Sequence, residues 1–180
     1  MSNRQTNNSY FLDKVALRKS LLDKNCNYIV LDCFSGTGNI WKKIEKDGYK
    51  VQVVSIDKKE SATIKGDNIK VLPSLDLQQF DIIDLDAYGV PFNQLEIILS
   101  KNLKNKVIFF TFIQTMFGRL NKKMLNVLGY TNIMINKVPS LFNKNGFQKF
   151  CQYLSKKRID KVYYICHNNK YYGYFKINPE

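Results

Sequence analysis

Residues 28–41 hold a group of side chains that could bind a nucleotide-like ligand. An apolar run ends at Asp32, and a turn with two glycines, Gly36 and Gly38, follows before a helix-like segment begins. Glycine allows backbone conformations that a Cβ would obstruct, so such a turn can approach a ligand closely. A strand, a glycine turn and a helix together form the unit that binds nucleotides. An acid at the end of that strand can accept hydrogen bonds from an amine or a cation.

The same stretch argues against a dinucleotide. The dinucleotide fingerprint has a third glycine where this chain has Trp41, and that glycine allows the helix to pack closely beside a pyrophosphate. The chain also has no phosphate loop of the G-x-x-x-x-G-K-[ST] type. We therefore expect a nucleoside-type cofactor that carries no diphosphate.

Acids mark the ends of three predicted strands. Asp32, Asp57 and Asp86 each follow an apolar run. The carboxyl ends of parallel strands meet at one edge of a sheet, and ligands bind outside that edge, near the point where the strand order reverses. The three acids are thus expected to share one site.

The segment V-L-D-C-F-S-G-T-G, residues 30–38, resembles motif I of the class I S-adenosylmethionine-dependent methyltransferases. The resemblance spans roughly residues 28–113. It implies S-adenosyl-L-methionine as the cofactor, bound by Asp32, Phe34, Gly36 and Gly38.

Two further cofactor contacts follow from this resemblance. Asp57 stands where the family has an acid for the ribose hydroxyls, and a carboxylate can accept from both hydroxyls at once. Asp76, in the loop after the third predicted strand, is a candidate for the adenine amine, with Asp67 as a rival.

Residues 81–91, D-I-I-D-L-D-A-Y-G-V-P, resemble motif IV of methyltransferases that modify exocyclic base amines, and especially the D-P-[Y/F]-G form of the tRNA guanine-N2 dimethyltransferases. An aromatic amine has its lone pair delocalised into the ring. Asp86 and the Ala87 carbonyl would accept the amine's hydrogens, and Tyr88 would stack on the base. The chain departs from the family at Ala87, where a proline would fix φ and stiffen the loop.

The pattern of elements predicts an α/β fold. A helix is expected at Ser9–Leu22, with further helices at about 39–46 and 92–102. Strands are expected at Tyr28–Cys33, Val51–Ile56, Ile69–Leu72, Phe80–Leu85 and Lys106–Phe112, and a terminal hairpin at Val162–Cys166 and Tyr171–Ile177. This order predicts a doubly wound, mostly parallel sheet of about seven strands with a C-terminal antiparallel hairpin, in a single domain over residues 1–180.

The net positive charge of +13 arises entirely from the second half of the chain. Residues 1–100 carry thirteen basic and thirteen acidic side chains, whereas residues 101–180 carry fifteen basic and two acidic ones. This asymmetry indicates a polyanionic partner, usually nucleic acid. We expect the basic, partly helical segment 114–161 to contact the substrate and the tract Lys156, Lys157 and Arg158 to bind nucleic acid, either DNA or RNA.

Composition excludes several other functions. Four cysteines form no C-x-x-C pair and His167 is the single histidine, so a metal site is not expected. Apolar runs are too short for a membrane span, and free thiols suit the cytoplasm. The sequence favours a methyltransferase acting on an exocyclic amine of a base in RNA or DNA. A protein or small-molecule acceptor remains an alternative, as does a catalytically degenerate nucleic-acid-binding protein of the same fold.

Overall fold

The computed structural model describes residues 10–114, 120–138 and 140–178. Its seven-stranded sheet has the order β3-β2-β1-β4-β5-β7-β6. The strands are β1 (Asn27–Asp32), β2 (Lys50–Asp57), β3 (Ile64–Lys65), β4 (Ile82–Leu85), β5 (Lys106–Ile113), β6 (Val162–His167) and β7 (Lys170–Ile177). The helices are α1 (Phe11–Lys19), α2 (Asn39–Lys46), α3 (Asn68–Val71), α4 (Phe92–Leu99), α5 (Lys122–Val127), α6 (Asn132–Lys137) and α7 (Leu141–Lys156).

The parallel strands place their carboxyl ends at one edge of the sheet. Strand β1 pairs in parallel with β2 on one side and β4 on the other, and β4 pairs in parallel with β5. The strand order reverses between β1 and β4. A crevice therefore opens outside the carboxyl ends of these two strands, where a doubly wound sheet binds its ligand.

Two apolar clusters cover the two faces of the sheet. The smaller cluster joins Val15 of α1 and Trp41 of α2 to Phe109 and Tyr174 of the sheet. The larger cluster packs α4, α5 and α7 against the other face, with several phenylalanines at its centre. No helix in the described ranges is long and apolar enough to cross a membrane.

The antiparallel end of the sheet confirms the predicted hairpin. Strand β7 pairs antiparallel with β5 and with β6, and the two-residue turn Asn168-Asn169 joins the last two strands. Asn168 has a φ of 55°, the left-handed region that asparagine tolerates in tight turns. The sheet thus has the predicted mixed form.

The predicted strand Ile69–Leu72 is wrong, because these residues form α3 and the start of a 3-10 turn. The Asp67 side chain accepts a hydrogen bond from the Ile69 N–H at 3.0 Å and so caps a helix. This local cap overrides the β-propensity of isoleucine and valine. The third strand is instead the two-residue β3, which pairs with the end of β2.

Candidate functional site

The glycine turn between β1 and α2 has the conformation that its sequence requires. Gly36 and Gly38 have φ values of 55° and 68°, where other residues are strained. The Gly36 N–H donates to Asp57 Oδ2 at 2.9 Å, and the Gly38 N–H donates to the Ser35 carbonyl at 2.6 Å. The acid at the end of β2 therefore holds the turn that follows β1, and two predicted site elements lie together.

Asp57 faces a cavity of about 340 Å³ at the carboxyl edge. Its other oxygen, Oδ1, accepts from the Lys59 N–H at 3.1 Å, so each oxygen keeps one lone-pair position for a ligand. Asn68 lines the same cavity and is oriented by two bonds, to the Cys33 carbonyl at 2.8 Å and from Gln94 Nε2 at 2.7 Å. The cavity thus combines a carboxylate with a fixed amide.

Of the two candidates for an adenine contact, Asp67 lies at this cavity, whereas Asp76 does not line it. Asp67 lines the cavity beside Asp57 and also caps α3. Asp76 caps a 3-10 turn that precedes β4, at the amino-terminal side of the sheet. Its neighbour Gln78 contacts Lys104 and Lys106 at the start of β5, which places it away from the carboxyl edge.

A buried ion pair lies directly under the crevice. Arg18 of α1 donates two hydrogen bonds to Asp84 of β4, from Nε at 2.7 Å and from Nη2 at 2.8 Å. The Trp41 indole N–H donates to the same carboxylate at 2.9 Å. Burial alone would lower the pKa of Arg18, but the charge of Asp84 and its hydrogen bonds outweigh burial and raise it. Trp41, at the position of the missing third glycine, therefore binds Asp84 instead of allowing closer packing.

Asp86 is held by donors from two other elements. Lys14 Nζ lies 2.8 Å from Oδ1 and 2.9 Å from Oδ2, and Thr111 Oγ1 lies 2.5 Å from Oδ1. Arg18 adds a positive charge at 3.8 Å from Oδ2. Burial would raise the pKa of Asp86, but the charges of Arg18 and Lys14 outweigh it, so the pKa is lowered. The carboxyl group is ionised at neutral pH.

Asp32 is the third acid of this edge, and its environment differs. Its Oδ1 accepts from the Phe34 N–H at 3.2 Å, and its side chain lines the crevice with Asp84 and Asp86. Burial, followed by the charge of Asp84, raises the pKa of Asp32 to about 8. A ligand that brings a positive charge would therefore drive its ionisation.

The loop after β4 forms one wall of the crevice. The Ala87 N–H donates to the Leu85 carbonyl at 2.8 Å, and the Gly89 N–H donates to the Ala87 carbonyl at 3.1 Å. Tyr88 is 89% exposed, and it lines both the crevice and an adjoining cavity of about 510 Å³ beside α5. The ring is free of the core and can present a stacking face.

Sequence reasoning missed Lys14, Arg18 and Thr111. Two residue spacings in the sequence indicate that these side chains could form a cluster. Lys14 and Arg18 stand four residues apart and share a helix face, whereas Asp84 and Asp86 stand two apart and share a face of the strand. Only the docking of α1 onto β4 shows that these two pairs meet.

The tract Lys156, Lys157 and Arg158 lies on the side of the sheet where β5 and β6 begin, opposite the crevice. The tract is the last residue of α7 and the two residues after it. It precedes β6, whose first residue, Val162, pairs with Phe175 of β7, the partner of Ile108 near the start of β5. Strand β6 runs in the same direction as β5, so the residues that precede β6 lie on the side of the sheet opposite the crevice. The crevice and the tract are distinct surfaces.

No family model matches this chain, and no curated protein matches it either. Several solved structures are similar to this chain. Trm1 from Pyrococcus horikoshii, in complex with S-adenosyl-L-methionine, is 16% identical with a TM-score of 0.66, and the match covers 97% of this chain and 56% of that one. A SAM-dependent methyltransferase from Archaeoglobus fulgidus is 15% identical with a TM-score of 0.53, covering 92% and 93% of the two chains.

The plantazolicin methyltransferase BpumL, in complex with an analogue and SAH, gives a TM-score of 0.55 at 16% identity, covering 98% of this chain and 88% of that one. At these identities the likeness establishes the fold. The chain has the Rossmann-like fold of the class I methyltransferases, and it spans just over half the length of Trm1.

Proposed function

We propose that this protein is an S-adenosyl-L-methionine-dependent methyltransferase whose acceptor is an exocyclic amine of a base in nucleic acid. The observation that carries the proposal is the meeting of two loops at the reversal of strand order. The Asp57-bound glycine turn and the loop of Asp86, Ala87 and Tyr88 line adjoining cavities at one edge.

The cofactor fits the residues at this edge. The ribose hydroxyls would donate to the remaining lone pairs of Asp57, and Asp67 and Asn68 would face the adenine. Ile69, 41% exposed beside them, offers an apolar contact. Asp32 would accept from the cofactor's ammonium, close to the turns of Gly36 and Gly38.

The acceptor side has the parts that an aromatic amine needs. When bound, the cofactor would supply an electrophilic methyl group: the amine lone pair would form the new N–C bond as the S–C bond breaks with its electrons left on sulfur, and the nitrogen would lose a proton to solvent. Asp86 Oδ2 and the Ala87 carbonyl would each accept one amine hydrogen before transfer. Tyr88 would stack on the exposed base.

A nucleic-acid acceptor is supported by the charge around the crevice. Lys59 lines it, and Lys122 and Lys123 are exposed at the start of α5, next to the cavity that Tyr88 borders. Phosphates paired with such lysines would bring a strand across the site. The similar fold of Trm1, solved with S-adenosyl-L-methionine, supports the cofactor side of the proposal.

Labelled cofactor tests the proposal directly. The protein would be incubated with methyl-labelled S-adenosyl-L-methionine and, separately, total tRNA, rRNA and genomic DNA, and label would be followed into each polymer. Nuclease digestion should yield a base methylated on its exocyclic amine. Label in protein instead of nucleic acid would contradict the acceptor, and no binding of S-adenosylhomocysteine at high protein concentration would contradict the cofactor as well.

A further inference from the structure

We propose that Lys14, Thr111 and Arg18 form a clamp that positions the Asp86 carboxylate for the acceptor amine. The inference rests on the proposed function, since it assigns these residues a part in amine methylation. Lys14 and Arg18 belong to α1 and Thr111 to β5, so two elements that flank β4 converge on one side chain.

The clamp leaves Asp86 one free acceptor position. A carboxylate has about four lone-pair positions. Oδ1 accepts from Lys14 and from Thr111, and Oδ2 accepts from Lys14 alone, while the Arg18 guanidinium at 3.8 Å is too distant for a hydrogen bond. One position on Oδ2 remains, which matches the single amine hydrogen that the side chain must accept if the Ala87 carbonyl takes the other.

Each clamp residue is itself immobilised. Thr111 is 3% exposed within β5, and Arg18 is 3% exposed and bound to Asp84. The Lys14 ammonium lies 4.6 Å from the centre of the Tyr172 ring, a cation–π contact that restricts its third N–H. The Asp86 carboxylate is therefore fixed by packed side chains and not by solvent.

The clamp offers a physical substitute for the proline that this loop lacks. Proline would stiffen the loop at position 87 by fixing φ. Ala87 leaves φ free but supplies an N–H that bonds to the Leu85 carbonyl, which proline cannot do. The hydrogen bond between Ala87 and Leu85 restrains the backbone of Asp86, and the clamp restrains its carboxylate.

The test compares Lys14→Met and Thr111→Val with the conservative Lys14→Arg. Lys19→Met is the matched control, because Lys19 lies on the same helix but pairs with Asp47. Transfer to the nucleic acid that the wild type methylates would be measured against pH, with S-adenosylhomocysteine affinity by calorimetry and the Asp86 carboxyl titration by ¹³C NMR. If a variant misplaces the Asp86 carboxylate by about 1 Å, the rate of methyl transfer should fall by up to roughly a hundredfold.

We expect Lys14→Met to lower kcat by ten- to a hundredfold, to move the acid limb of the kcat profile and the Asp86 titration to higher pH, and to leave cofactor affinity within twofold. Lys14→Arg should restore most of the rate, and Lys19→Met should match the wild type. An active wild type with unchanged kcat in Lys14→Met overturns the clamp alone. A lower kcat without movement of the acid limb also overturns it, since loss of fold would explain that result. A wild type that methylates nothing contradicts the proposed function itself.

Discussion

At the scale of single residues, the three acids of the crevice differ in charge because their neighbours differ. Asp86 lies among cations, which lower its pKa, whereas Asp32 is buried beside Asp84, and its pKa rises to about 8. In the free protein at pH 7, Asp86 is therefore ionised and Asp32 carries a proton. A cationic ligand group near Asp32 must displace that proton.

Proton release on cofactor binding follows from the pKa of Asp32. Because ionised Asp32 is the form that pairs with an ammonium, S-adenosylhomocysteine affinity should rise as the pH increases from 6 towards 8 and level off above it. Calorimetry at pH 7 in buffers of different ionisation enthalpy should detect proton release on binding. Asp32→Asn should bind more weakly and lose this pH dependence. A pH-independent affinity in the wild type would contradict the pairing.

The separation of cofactor and acceptor residues gives a second test. Asp57→Ala removes the carboxylate that holds the glycine turn, so the dissociation constant of S-adenosylhomocysteine should increase about tenfold or more, the effect of roughly 1.4 kcal/mol. Asp86→Ala should leave that constant nearly unchanged and abolish transfer, since its bond is to the acceptor. Full methylation by Asp86→Ala would show that the loop after β4 does not bind the amine.

At the scale of elements, α1 is joined to the sheet through buried charge. Arg18 is fully enclosed and bidentate on Asp84, and removing one partner of such a pair leaves the other uncompensated. Arg18→Met should therefore lower the free energy of unfolding by roughly 3–5 kcal/mol, measured by urea denaturation. Exposed Lys24→Met at the following loop is a control expected to cost little. A loss below about 1 kcal/mol for Arg18→Met would mean that α1 is held mainly by its apolar face.

The element scale also shows where prediction from sequence succeeds and where it fails. Strand β1, its glycine turn and the β6–β7 hairpin were predictable, because periodicity and turn residues are local signals. The strand predicted at Ile69–Leu72 failed because one cap at Asp67 decided the local structure. The distance of Asp76 from the carboxyl edge and the contact of Lys14 with Asp86 could not be derived from the sequence, since both depend on which elements pack together.

At the scale of the whole molecule, basic side chains occur on two sides of the sheet, near the carboxyl ends of the parallel strands and near their amino ends. Lys122 and Lys123 lie near the crevice, whereas Lys156, Lys157 and Arg158 lie on the opposite side of the sheet, before the start of β6. A nucleic acid must therefore extend from one side of the sheet to the other to contact both surfaces. A short oligonucleotide can contact only one of these surfaces at a time.

The length of the nucleic acid should therefore determine which lysines contribute to its binding. For a duplex of about 20 pairs, replacing Lys156, Lys157 and Arg158 by alanine should weaken binding and reduce the slope of log K against log salt by about 0.9 for each phosphate that the variant no longer neutralises. For a trinucleotide that carries the acceptor base and is too short to contact both surfaces at once, the same triple variant should bind as the wild type does, whereas Lys122→Ala with Lys123→Ala should weaken binding. Fluorescence anisotropy between about 50 and 200 mM salt would measure both. If the triple variant leaves the duplex's salt slope unchanged, the side of the sheet opposite the crevice does not contact nucleic acid through these three residues.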